Sequence, residues 1–187
     1  MNPLQWFRWR LGTFRAAKGT IKHVRSMKMF PQSLVDAGAR NSEFMRYLAL
    51  YWPWAEVHSF EIDPKRRPIG ERHYMRLGND TGHRLSEFTF RSPCLLKVDC
   101  DEDQLKVLEG ADLTAFEWAV VEVSEDGNGA LPNNRREINE IMRESGLTRS
   151  KVVDAVVCIR SHRIAQTDVL FWRPNTERSH GAENPKA

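Results

Sequence analysis

Ser33-Leu34-Val35-Asp36-Ala37-Gly38-Ala39 is the stretch on which the fold turns. A short apolar run that ends in an acid and a glycine is how a buried parallel strand hands over to a tight turn. A helix is expected next, capped by Asn41 or Ser42, with Phe44, Leu48 and Tyr51 at helical spacing until Pro53 stops it. Val57 to Asp63 then reads as a second strand, closed by Pro64.

The same grammar recurs downstream. Cys94-Leu95-Leu96-Lys97-Val98-Asp99 is an apolar run ending in an acid, and Asp101 to Glu109 has Leu105 and Leu108 spaced for a helix that Gly110 ends. Trp118 to Val123 is a further strand, and Ser124 to Asn133 a polar loop. After it, Asn134 with Glu137 predicts a capping box for a helix carrying Ile138, Ile141 and Met142, stopped by Gly146. The runs Lys151 to Ile159 and Asp168 to Trp172 close the fold as strands, and a polar, disordered tail is expected from residue 175. Residues 65–93 suggest a strand near Tyr74 to Leu77, a turn at Asn79 to Gly82 and an alternating, strand-like run from Leu85 to Phe90.

Strands alternating with helices imply an α/β domain with a mostly parallel sheet covered on both faces. Ligands of such sheets sit beyond the carboxyl ends of the strands, where Asp36, Glu61, Asp99 and Glu122 stand. Gly38 lets backbone approach a ligand closely, although a glycine after a strand is also common in any tight turn, and Glu61, at the end of the second strand, can accept hydrogen bonds from both hydroxyls of a ribose. The plainer reading of Glu61 is an acid that is solvated or paired with Lys65, Arg66 or Arg67. A dinucleotide site would want G-x-G-x-x-G, but Arg40 and Glu43 occupy the later glycine positions, which disfavours NAD.

With 187 residues and 41% apolar composition, one domain with a real core is expected, and no apolar run of eighteen residues is present. The first 28 residues hold seven Lys or Arg and no Asp or Glu, so the remainder carries a net charge of −4. Cations interrupt every apolar run there, so a secretory signal is not expected and the chain reads as cytoplasmic. Trp6, Phe7, Trp9 and Phe14, interleaved with Arg8, Arg10, Arg15 and Lys18, suggest a helical segment over residues 1–30. It could pack its aromatics on the sheet, lie on the inner surface of an anionic membrane, or stack on nucleic acid; specific nucleic-acid binding is not expected. Cys94, Cys100 and Cys158 read as free, buried thiols, and the scattered histidines form no H-E-x-x-H, so no metal site is expected.

Several blocks together resemble the FkbM-type S-adenosylmethionine-dependent methyltransferases. Val35 to Ala39 resembles the family's V-D-V-G-A turn, Ser59 to Pro64 its F-E-P-x-P strand end, and Leu96 to Asp99 with Leu105 to Ala111 its L-K-I-D…E-L-E-V-L-K-G-A block. Trp118 to Val123 resembles its strand ending in Glu, and Thr167 to Phe171 its closing D-V-L-F strand. The resemblance implies a Rossmann-like methyltransferase domain over residues 31–174, with an antiparallel C-terminal strand and S-adenosylmethionine as cofactor.

It also implies roles. Asp36, Gly38 and Ala39 would line the amino-acid end of the cofactor, and Glu61, with Ile62 beside it, would bind the ribose. Asp80 would lie near the adenine, and Asp99 and Glu122 would face the methyl group and a glycan or small-molecule acceptor. The chain departs from the family at Arg40-Asn41-Ser42, where N-x-G is usual, so Arg40 either pairs with the cofactor carboxylate or blocks its pocket. Residues 65–94 are also shorter than the family's usual span. A methyltransferase and a catalytically silent binding module of the same fold are therefore both open readings at this point.

Overall fold

A computed structural model describes residues 3–100, 103–125, 133–157 and 164–174, with side chains from residue 13 onward, that of residue 157 excepted. Among the described residues seven strands form one sheet: β1 (Ser33–Ala37), β2 (Glu56–Glu61), β3 (Glu71–Tyr74), β4 (Cys94–Val98), β5 (Trp118–Ser124), β6 (Arg149–Val157) and β7 (Ile164–Trp172). The α-helices among the described residues are α1 (Pro3–Ser26), α2 (Glu43–Tyr51), α3 (Gln104–Glu109) and α4 (Arg135–Glu144). The strand order is β3-β2-β1-β4-β5-β7-β6. β1 to β5 pair in parallel, and β7 is antiparallel to both of its neighbours, so it alone runs against the rest.

Every residue of β1 and β4 is buried, because helices cover both sides of these central strands. Alternate residues then serve two separate cores. Leu34, Leu95, Trp118, Val120, Leu170 and Trp172 pack under α1 and α2, whereas Val35, Leu96, Val98, Val121, Val169 and Phe171 pack under α3 and α4. Burying one such Leu, Val or Phe stabilises the fold by roughly 1.5–3 kcal/mol, so a one-residue slip in any central strand is strongly disfavoured.

The amino-terminal helix belongs to the domain. Ala16, Ala17, Thr20, Ile21, Val24 and Met27 form its buried stripe, while Arg15, Lys18, Lys22 and Arg25 face outward. The Trp118 indole N–H reaches Met27 Sδ at 3.3 Å, and Phe14 meets the Tyr47 ring edge-on. The side chains of Trp6, Phe7 and Trp9 lie outside the described residues, as do Cys158 and the tail. Among the described residues no helix is long and apolar enough to cross a membrane.

Three expectations are corrected. The edge strand is Glu71–Tyr74, ahead of the anticipated Tyr74 to Leu77, and the run from Leu85 forms a 3-10 turn (Leu85–Glu87). Phe88 and Phe90 in that run are spaced by two because both fold onto the same aromatic cluster, with Phe88 edge-on to Phe60 and Phe90 tilted against Phe116. The capping box at Asn134 does not form: its side-chain oxygen accepts from the Ser124 backbone N–H at 2.9 Å, tying the start of α4 to the end of β5.

Candidate functional site

The strand order reverses direction of growth between β1 and β4, and at this switch point the carboxyl ends of the strands open into a cleft. Gly38 and Arg40 from the loop after β1, Glu61 and Ile62 from the end of β2, and Asp99 and Cys100 from the end of β4 line it. Met75, Arg76, Leu77, Asp103 and Val107 complete the far wall.

The loop after β1 has three residues in the left-handed region, Gly38 (φ 82°), Arg40 (φ 48°) and Ser42 (φ 53°). A Cβ at position 38 would overlap the Asp99 carbonyl oxygen, so only glycine lets the loop pass over the end of β4. Gly38 and Ala39 both donate their N–H to the Phe60 carbonyl at 3.0 Å, which holds the turn against β2. Left-handed backbone at two non-glycine residues costs about 1–2 kcal/mol each. The loop keeps that geometry because Glu61 grips it: Oε2 accepts the Arg40 N–H at 2.5 Å, while Oε1 accepts that of Asp63 at 2.9 Å. Glu61 is therefore a buried carboxylate held by backbone, 6% exposed, and the cations that follow it in sequence turn elsewhere. Arg66, for one, sits 3.4 Å from Asp63.

Behind the cleft, on the face covered by α1 and α2, lies a group of buried charges. Lys97 Nζ is 3.2 Å from both Asp99 Oδ2 and Asp168 Oδ1 and lies 5.5 Å from the centre of the Phe44 ring. Burial disfavours its charge, but the carboxylates of Asp168, Asp99, Glu122 and Asp36 together hold the lysine well above its ordinary range. Burial pushes the Asp36 carboxyl up to about 7 against the pull of Lys97 and a hydrogen bond from Ser42. Asp168 is also raised by burial against the same lysine. Cross-strand register produces this group: Asp36 sits opposite Lys97, and Glu122 opposite Asp168. Glu122 accepts from Gln166 Nε2 at 2.9 Å. Burial and the neighbouring Asp99 raise the Cys100 thiol far up, so this cleft residue is a neutral thiol rather than a nucleophile.

Of the residues singled out in the sequence, Gly38, Arg40, Glu61, Ile62 and Asp99 share the cleft, while Asp36, Ala39 and Glu122 are not among its lining residues. Asp80 is not among the residues lining the cleft; it pairs with Lys106 Nζ of α3 at 2.8 Å, which lowers its carboxyl. Sequence reasoning missed Arg76 and Asp103, whose two-pronged ion pair at 2.8 and 3.0 Å closes the far wall. It also passed over the pairing of Lys97 with Asp168, 71 residues apart, for which only sheet register gives a signal.

No protein-family model matches this sequence, and no curated protein matches it. Solved structures do resemble it in shape. The plantazolicin methyltransferase BpumL in complex with S-adenosylhomocysteine (SAH) superposes with a TM-score of 0.51 at 10% identity, over 88% of this chain and 85% of that one. The same enzyme with a monoazolic desmethylPZN analog and SAH gives 0.52. The methyltransferase FkbM from Methylobacillus flagellatus KT gives 0.52 at 15% identity, over 76% of this chain but only 44% of that one. At such identities the likeness is one of architecture: the chain has the Rossmann-like fold of these methyltransferases, with its cleft at the carboxyl ends of their shared sheet.

Proposed function

We propose that this chain is an S-adenosylmethionine-dependent methyltransferase acting on a hydroxyl of a glycan or small molecule. The observation that carries the reading is the meeting of Gly38 and Glu61 in one cleft at the switch point of the sheet. The cleft suits an adenosyl ligand in two respects. Its floor at position 38 is bare backbone that no larger residue could replace. Each oxygen of Glu61 uses one lone pair on a backbone N–H and keeps another, which two ribose hydroxyls could take.

In this reading Gly38 and Arg40 meet the amino-acid end of the cofactor, with Asp36 and Ala39 shaping the turn from behind. Glu61 holds the ribose, and Ile62, 64% exposed at the rim, offers an apolar cover. Asp80 braces the adenine side through Lys106. The cofactor supplies an activated methyl group when bound. The protein aligns the acceptor and keeps water away. Asp99 is the candidate general base for the hydroxyl proton, its orientation fixed by Lys97, and Glu122 supports the same wall from the neighbouring strand. The outward cations of α1 extend the proposal to peripheral contact with an anionic inner membrane surface, which flotation of the chain with anionic vesicles would show.

Isothermal titration with S-adenosylmethionine and SAH tests the core of the reading. Micromolar binding is expected, weakened at least tenfold in Glu61→Ala. Absence of binding at millimolar ligand would overturn it, and binding without methyl transfer to any hydroxyl acceptor would favour the silent binding module.

A further inference from the structure

We propose that His58, Glu71 and His73 form a binding site for a divalent transition-metal ion at the edge of the sheet. The site stands apart from the adenosyl cleft and does not depend on the methyltransferase reading. Glu71 and His73 are two residues apart on β3 and so share a face, and His58 lies opposite Glu71 on β2. One ligand atom from each falls within 4.8 Å of the other two.

The separations favour a metal over a hydrogen-bonded triad. His58 Nδ1 is 3.3 Å from Glu71 Oε2, and His73 Nε2 is 3.7 Å from Glu71 Oε1. The second distance is too long for a hydrogen bond. It is close to the ~3.4 Å between ligand atoms that a tetrahedral ion with bonds near 2.0–2.2 Å requires. The Nε2 atoms of His73 and His58 are buried and have no hydrogen-bond partner. Such orphans are costly, and an ion at the centre of the group would satisfy that of His73.

The rings are also held in place. His73 stacks on Phe60 at 4.5 Å and meets Phe88 edge-on, and His58 meets Phe90 edge-on at 5.2 Å. The Glu71 side chain is 64% exposed, which gives an ion a path from solvent and leaves room for water as a fourth ligand. Two imidazoles and a carboxylate suit zinc or a neighbouring first-row divalent ion rather than magnesium or calcium. Bound there, the ion would clip edge strand β3 to β2, just before the chain continues into Met75 to Leu77 on the cleft wall.

The test uses the full chain, metal-free and without a histidine tag, titrated with Zn²⁺ against a chromophoric chelator and with Co²⁺ by visible absorption. One ion per chain is expected, with the intense d–d bands of a four- or five-coordinate cobalt site and a higher melting temperature in Zn²⁺. Glu71→Gln, at an exposed position that leaves the fold intact, should weaken Zn²⁺ binding at least ~tenfold. His73→Gln should weaken it further, and His83→Gln, at an exposed histidine elsewhere, should leave it unchanged. Failure of the wild type to bind either ion, or equal affinity in the wild type and Glu71→Gln, overturns the proposal.

Discussion

The two faces of the sheet are made from alternate residues of the same strands, yet they end differently. Under α3 and α4 the strands stay apolar to their carboxyl ends, through Ala37, Val98 and Val123. Under α1 and α2 the apolar rows of Leu34, Leu95, Val120 and Leu170 give way, one pleat further along, to Asp36, Lys97, Glu122 and Asp168. One face is therefore a packed wall, and the other a packed wall with a buried electrostatic cluster at the end nearest the cleft. The difference teaches that burial alone does not mark structural positions here: the side chains most costly to bury are gathered beside the cleft at the carboxyl ends of the strands.

The largest expected effect separates the faces by charge. Lys97→Met leaves Asp99, Asp168 and Asp36 without their shared countercharge and should cost roughly 3–5 kcal/mol at neutral pH. The deficit should shrink as pH falls, because protonation of the carboxylates removes the need for the lysine. Leu96→Ala, its neighbour on the other face, should cost a comparable 2–5 kcal/mol, with no such dependence on pH. Chemical denaturation of both variants across pH checks the pair. Parallel pH profiles would mean that the two faces do not differ in kind.

A smaller effect sharpens the same contrast at one carboxyl. Asp36 is raised to about 7 in the folded chain from an unfolded value near 4, so the folded state binds the extra proton between these limits. The stability it contributes is present below pH ~4 and is lost as pH rises to about 7. Asp36→Asn removes this titration, so its stability relative to wild type should climb across that window by at most ~1.4 kcal/mol per pH unit and level off above it. A flat difference between the two melting curves from pH 4 to 7 would contradict the burial of that carboxyl.

These contrasts bear on how much the sequence reveals. β1, β4 and β5 are legible because strands buried on both faces must be apolar runs, and a charge can enter only at the end, so Leu-Val-Asp, Leu-Lys-Val-Asp and Val-Glu-Val mark both the strand and its terminus. Gly38 is legible for a similar reason, since the turn after β1 demands it; Glu61 shows as an acid at a strand end, but its hold on the Arg40 N–H, 21 residues away, is not visible in the sequence. The stretch from residue 62 to 93 is not, because its order comes from distant partners. Glu71-Arg72-His73-Tyr74 has no apolar alternation and becomes a strand by pairing with β2 and stacking His73 on Phe60. Asn134 looks like a helix cap, but β5 claims its side chain. The grouping of His58 with Glu71 and His73 likewise exists only in the register of β2 and β3, and no linear spacing shows it.

The central claim is that backbone at position 38 and the carboxylate of Glu61 hold an adenosyl ligand together. The most direct measurement is a crystal structure of the chain grown with SAH. The account predicts both ribose hydroxyls within hydrogen-bond distance of Glu61 and the ligand's amino-acid end against Gly38 and Arg40. SAH bound elsewhere on the chain, with the Glu61 oxygens still engaged only by Arg40 and Asp63, would contradict it.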